Sequence, residues 1–169
     1  MKIAEYKKKN PQSLRLATLC FLIRDDEVLL AMKKRGFGKD RWNGVGGKQN
    51  PGENIKQTAI RETQEEISIT PKDLEVRAVL DFYFPKNPDW SQQVIVYFSK
   101  SWDGTPEETE EMKPRWYKKD DLPLNEMWAD DKHWLPQVLR GEKVKAEFSF
   151  GENETVLDFN VRVVKSLRV

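Results

Sequence analysis

The sequence predicts an α/β (α+β) domain in which a mixed β-sheet carries two separate helices. Three observations support this. Apolar strand-like runs recur along the whole chain, and helical periodicity interrupts them at only two places, from about Asn54 and from Asp130 to Arg140. The run Leu14 to Ile23 is apolar at both alternating positions, the pattern of a strand buried on both faces in the middle of a sheet. No internal repeat, linker or low-complexity segment divides the 169 residues, so a single domain over 13–169 is expected.

In chain order, residues 1–12 are polar, end in Asn10-Pro11, and read as a loose arm. Leu14–Ile23 is the central strand, Asp25-Asp26 turns it, and Val28–Met32 returns. Basic residues Lys33-Lys34-Arg35 and the flexible Gly36-Phe37-Gly38 follow, and then RWNGVGGK leads into the first helix. After Pro71, LEVRAVLDFYF and QVIVYFS are two further strands around the turn-rich PKNPDWS. An acidic loop, DGTPEETEE, precedes a short strand at Trp116-Tyr117 and a turn or one helical turn over Asp120–Leu124. The second helix turns Trp134, Leu135, Val138 and Leu139 inward and stops at Gly141; Pro136 kinks it or marks its true start. Strands at about 143–150 and 154–164 form a closing hairpin across Gly151-Glu152-Asn153.

The stretch Gly47 to Ile69, GKQNPGENIKQTAIRETQEEISI, carries the chemistry. Asn54 with Gln57 three residues on is a capping-box signature, so the helix starts near Asn54 or Ile55. Ile55, Ala59, Thr63 and Ile67 supply an inward face, while Arg61, Glu62, Glu65 and Glu66 project elsewhere, and Pro71 ends the run. Glu62, Glu65 and Glu66 fall within an arc of roughly 100°. Three carboxylates on one surface repel one another unless a cation sits among them, and oxygen-only ligands suit Mg2+, with Mn2+ as a substitute. A bare acidic stretch is more often a solvated face; the spacing of the surrounding residues decides the matter here.

Gly47, Glu53, Arg61-Glu62 and Glu65-Glu66 stand at the intervals of the Nudix box, and the chain resembles that family of hydrolases. Six fixed residues coincide by chance about once in ten million registers. Thr63 stands where an apolar residue is usual and Ser68 where the family has glycine. The resemblance implies a Nudix α/β/α sandwich, a metal set of Glu62, Glu65, Glu66 and Glu111 with the carbonyl of Gly46 or Gly47, and a Glu53–Arg61 pair orienting helix and loop. It implies catalytic roles for the same carboxylates.

Beyond the box, MKKRGFG, RWNGVGGK, DGTP, MWADD and TVLDFNVR resemble the Nudix subfamily acting on oxidised purine nucleoside triphosphates. The residues suit a purine, which has a flat π-face and a mixed donor–acceptor edge. Asn43 can meet that edge, and of the adjacent Asp130 and Asp131 one can stay protonated and donate. Trp128 can stack on the ring, with Phe37, Phe82, Phe84, Met112 and Trp134 as walls and Thr18 as a small polar contact. Lys33, Lys34 and Arg35 are suited to phosphate, as is Lys48. Gln92 replaces an apolar pocket residue of the subfamily after a loop one residue longer.

The expected activity is therefore Mg2+-dependent hydrolysis of such nucleotides to the monophosphate and pyrophosphate. Other nucleotides, dinucleoside polyphosphates or RNA 5′ ends are the alternative substrates, and a non-catalytic nucleotide-binding regulator is a third reading. A net charge of +1 gives no field for nucleic acid or anionic membrane. The apolar run after Lys7–Lys9 is too short for a membrane span, and it leads into Arg24-Asp25-Asp26-Glu27 rather than a cleavage site. Cys20 is the single cysteine, set in a strand pattern, and predicts packing in a reducing, cytoplasmic setting. No protein partner is implied, and His133, the only histidine, reads as a surface or packing residue.

Overall fold

The computed structural model describes all of residues 1–169. Its central strand is β1 (Arg15–Arg24). On one side β1 pairs in parallel with β6 (Gln92–Ser99), which pairs with β5 (Glu75–Tyr83); β5 runs parallel to β9 (Lys143–Phe150), and β10 (Val156–Val164) closes that edge. On the other side lie β2 (Glu27–Lys33), β3 (Trp42–Asn43) and β8 (Met112–Lys118), giving eight strands of mixed direction. A separate ribbon joins β4 (Thr70–Lys72) to β7 (Ser101–Asp103).

Residues of β1 serve both faces. Phe21 and Ile23 join the core under α3 (Asp131–Leu139), with Trp134, Leu135 and Val138. Cys20 and Leu22 join Ile67 and Ile69 under α2 (Ile55–Ile67). The helices thus cover opposite faces, as a strand apolar on both sides requires. Cys20 is fully enclosed, and burial pushes its thiol up to about 12.

The sheet opens beside β1. After the pairs Ile23–Val28 and Arg24–Glu27, β1 and β2 part, and the loop from Val45 to Gln49 takes the vacated edge through bridges at Cys20–Val45 and Ala17–Lys48. This split is what makes room for a cleft.

The α2 N-terminus is the predicted capping box. Asn54 Oδ1 accepts from the Gln57 N–H at 2.9 Å and Gln57 Oε1 accepts from the Asn54 N–H at 2.8 Å. At the far end Ser68 takes the left-handed conformation (φ 63°) usually given to glycine. Thr63 is tolerated in the buried face because its hydroxyl donates to the Ala59 carbonyl at 2.7 Å.

Three expectations change. Residues 1–12 are not a loose arm, since Ile3–Lys9 form α1, with Ile3 and Tyr6 buried against Tyr83. A helix of seven residues does not persist alone in water; the burial of those two side chains holds it. Pro71 does not end α2, which stops at Ile67, and lies instead in β4. Pro136 sits inside α3, which starts at Asp131.

Candidate active site

At one end of the site a loop is clamped to a helix. The Thr18 N–H donates to the Gly47 carbonyl at 2.9 Å and the Gln49 N–H to the Leu16 carbonyl at 3.1 Å, laying the loop along β1. Only glycine fits there. A Cβ on Gly46 would lie 1.8 Å from the Thr18 carbonyl oxygen, and one on Gly47 2.5 Å from the Glu62 carboxylate. Arg61 fastens the two parts. Its guanidinium donates to Glu53 through Nε (3.1 Å) and Nη2 (2.8 Å), to the Lys48 carbonyl (3.1 Å), to Glu62 (2.8 Å) and to Glu65 (3.3 Å). Glu53 also accepts from the Asn50 N–H and the Thr58 hydroxyl, both at 2.8 Å. Arg61 foremost, then these donors, hold the Glu53 carboxyl down at about 2.

Glu66 is the contrary case. It does not project to solvent with its neighbours but is buried at the loop–helix junction, and its Oε2 has no hydrogen-bond partner. Burial, then the charge of Glu62, pushes this carboxyl up to about 8, against the pull of the Gly46 N–H and Lys33.

The predicted metal set is only partly gathered, and no group of three carboxylates converges on one point. Glu66, Gly46, Gly47 and Glu62 meet at the junction. Glu65 is exposed and turned to Arg61, and Glu111 is exposed and paired with Arg35 at 3.1 Å. Arg61 and Arg35 are the nearest countercharges, so these carboxylates turn to them. The residues nonetheless suit a hard divalent cation. The donors are all oxygen, Glu66 Oε2 is buried and unpaired, and the Gly46 carbonyl takes no backbone N–H whereas that of Gly47 is bound to Thr18.

Next to the junction the opened sheet forms a cleft of about 1020 Å³ including its mouth. Thr18, Lys33, Phe37, Asn43, Phe82, Phe84, Met112, Trp128, Asp130 and Asp131 all line it, together with Gly46, Gly47, Lys48, Glu66 and Gln92. Its walls are aromatic. Phe37 lies 5.1 Å from Trp128 and 4.9 Å from Trp90, and Phe84 stacks on Phe150 at 4.9 Å.

Trp134 is the exception among the predicted wall residues. It is completely buried in the core under α3 and does not reach the cleft. Its role is indirect, since Nε1 donates to Asp130 Oδ2 at 2.8 Å. Asp130 and Asp131 are buried side by side. Burial pushes Asp130 up to about 6, and burial together with the charge of Asp130 raises Asp131 well above the carboxylate range. The indole N–H favours charge on Asp130, so Asp131 is the partner that keeps its proton, and its Oδ2 is unpaired. Thr18 Oγ1 is likewise buried and unpaired. Asn43 spends part of its capacity at home, accepting from the Gly44 N–H at 2.8 Å. Among the basic residues, Lys34 is paired with Glu108 and Arg35 with Glu111, which leaves Lys33 and Lys48 facing the cleft.

Among residues the sequence does not single out, Arg41 and Phe150 line the cleft, and the exposed Trp90 packs on its wall residues Phe37 and Phe84 without lining it. Arg41 lies over the Trp128 ring at 4.4 Å and pairs with Glu154 at 2.9 Å, pinning the indole. Trp90 and Phe150 come from a turn and a distant strand. The only sequence signal for Trp90 was a large aromatic within the polar PKNPDWS segment.

Comparison with known proteins matches residues 13–138 to the NUDIX domain. The chain belongs to the Nudix family. Among relatives of this Nudix protein, the oxidized purine nucleoside triphosphate hydrolase of Mus musculus is 39% identical over 152 residues, 90% of this chain and 97% of that one. The protein of the same name from Danio rerio is 35% identical over 153 residues, with the same coverage. Among solved structures, a MutT protein of Bacillus halodurans superposes with a TM-score of 0.77 at 27% identity, over 88% of this chain and 97% of that chain. The Nudix match includes the loop, α2 and most of the cleft, whereas α1 and Phe150 lie outside it.

Proposed function

We propose that this Nudix protein hydrolyses oxidised purine nucleoside triphosphates, of the 8-oxo-dGTP and 2-hydroxy-dATP type, to the monophosphate and pyrophosphate with Mg2+. One observation carries the reading. Of the four buried side-chain polar atoms without a partner in the molecule, three belong to residues of the same aromatic cleft: Thr18 Oγ1, Asp131 Oδ2 and Glu66 Oε2. Unpaired buried oxygens are costly, and a ligand that bonds them recovers that cost. Two lie at the base end and the third at the hydrolytic end, so a single extended molecule spans them. The names of the mouse and fish relatives support the same substrate class.

In this reading the purine stacks against Trp128, Phe37, Phe82 and Phe84, with Met112 beneath it. Protonated Asp131 donates to the base edge, Asp130 accepts from it, and Asn43 and Thr18 complete the set. Lys33 and Lys48 take phosphate oxygens. Arg61, oriented by Glu53, holds Glu62 and the loop in register. Nudix enzymes work with divalent cations; Glu62, Glu65, Glu66 and Glu111, with the Gly46 carbonyl, would hold Mg2+ here. When bound, the cation neutralises charge developing on the phosphates and makes water a better nucleophile. No helix of the chain is long and apolar enough to cross a membrane, and we assign the reaction to the cytoplasmic nucleotide pool.

The test is kcat/KM with Mg2+ for 8-oxo-dGTP, 2-hydroxy-dATP, dGTP and dATP, read by pyrophosphate release. A preference of about tenfold or more for an oxidised base, about 1.4 kcal/mol, is expected. Equal rates on all four would sink the oxidised-base assignment.

A further inference from the structure

The part of the chain that precedes the Nudix match is joined to the cleft by a buried hydrogen-bond relay. In α1, Tyr6 is buried with its ring 5.0 Å from that of Tyr83, and its hydroxyl lies 2.7 Å from Ser91 Oγ. The same Ser91 oxygen accepts from the Phe84 N–H at 2.9 Å. Phe84 and Ser91 are the two ends of one excursion between β5 and β6, and Ser91 closes it across its base. From that excursion come Trp90, 4.9 Å from Phe37 and 5.9 Å from Phe84, and the lining residue Phe84, and it leads directly into Gln92, the lining residue that opens β6.

Helix α1 is itself fixed to the β9–β10 edge of the sheet. The Ile3 N–H donates to Asp158 Oδ2 at 3.0 Å, the Ser149 hydroxyl donates to the Met1 carbonyl at 2.8 Å, and Lys7 pairs with Glu147 at 2.6 Å. Tyr6 therefore connects a fixed point on β9 and β10 to the segment that shapes the outer wall of the cleft.

We propose that α1 is a positioning element of the cleft. Tyr6, acting through Ser91, sets where the Phe84–Ser91 excursion stands and so how closely the wall approaches a bound base. The substrate part of this inference rests on the proposed function; the coupling of Tyr6 to the rim does not. Within the excursion, Asn87, Trp90 and Ser91 donate backbone N–H groups only to carbonyls of the same segment, at 2.9–3.0 Å. Those bonds shape the excursion but do not fix it to the sheet. At its base the buried Tyr6–Ser91 bond does that, while farther out, at the exposed surface, Arg15 donates to the Asp89 carbonyl and Lys86 pairs with Glu152; the Tyr6 phenol has no other hydrogen-bond partner.

The experiment is Tyr6→Phe, which keeps the ring and its packing and removes one oxygen, with Ser91→Ala and the double variant completing a cycle. Steady-state kinetics on the preferred triphosphate should show KM raised about threefold or more with kcat within about twofold. The effect of Tyr6→Phe on KM should vanish in the Ser91→Ala background. Amide hydrogen exchange, which needs no substrate, should be about tenfold faster at Phe84 and Ser91 in Tyr6→Phe. A lower Tm with KM and rim exchange unchanged would make Tyr6 a merely structural residue and overturn the proposal. If wild type turns over none of the four triphosphates, the proposed function fails, and exchange at Phe84 and Ser91 alone then decides: faster exchange upholds the coupling, and unchanged exchange overturns it.

Discussion

At the hydrolytic end of the cleft, Glu53 accepts four hydrogen bonds and Arg61 donates five. At the base end, Thr18 Oγ1 and Asp131 Oδ2 are buried with none. The Glu53–Arg61 clamp is saturated by its own residues, so the register of loop and helix is set before any ligand arrives, although the outer carboxylates Glu65 and Glu111 are not yet gathered. The base end is held by packing around it, through Trp134 on Asp130, Arg41 on Trp128 and Phe150 on Phe84, and its own polar atoms stay free for a partner. A hydrolytic centre gains from rigid positioning, whereas a base-reading pocket needs unspent hydrogen bonds. Glu66 belongs to both regions: it sits in the rigid junction and carries a free oxygen.

Changing Glu66 gives the largest contrast between function and fold. Glu66→Gln should lower kcat by about 100-fold or more, since the isosteric amide cannot supply a charged oxygen to a cation. Its Tm should equal or exceed that of wild type, because burial disfavours the carboxylate it replaces. A near-normal rate in pyrophosphate release would remove Glu66 from the machinery.

A smaller effect is expected at the base end. Asn43→Ala should reduce discrimination between oxidised and normal purines about tenfold, roughly the 1–2 kcal/mol of a hydrogen bond left unmade. Equal loss on both kinds of purine would mean that Asn43 shapes the loop instead of reading the base.

The smallest effect is on stability. Asp130 at about 6 and Asp131 raised well above its ordinary value mean that the folded chain holds more protons than the unfolded one above the ordinary carboxylate range. The contribution of the pair to stability is thus full at about pH 4 and falls as pH rises through 6. Asp131→Asn has no charge to bury, so its Tm relative to wild type should rise between pH 5 and pH 8, by about 3 °C for each kcal/mol involved. A difference in Tm that does not change with pH would contradict the raised carboxyls.

The saturated region was the more legible in the sequence, because its parts are neighbours. Asn54 and Gln57 cap one another, and Glu53 and Arg61 lie two helical turns apart. The middle strand and its two-faced burial were equally readable. The base pocket is assembled from segments far apart in the chain, so composition alone could not separate wall from core. Trp134 reads as wall and is core, whereas Arg41 and Phe150 reach the cleft, and Trp90 its wall residue Phe37, only through the topology of the sheet. Helix α1 is not legible because Ile3 and Tyr6 give only one i, i+3 step, too short a run to establish a period before the lysines. Glu66 was read with its exposed neighbours because helical spacing cannot show that the Gly46-Gly47 loop covers that edge.

Cys20 has a consequence for durability. On the proposed function the protein handles products of oxidation, and thiolate is the form of cysteine that oxidants attack. The chain's one thiol lies sealed beneath α2 with its proton held up to about 12, and it therefore presents peroxide with almost no thiolate. With no second cysteine to resolve a sulfenic acid into a disulfide, keeping this sulfur inert is the protection the fold provides.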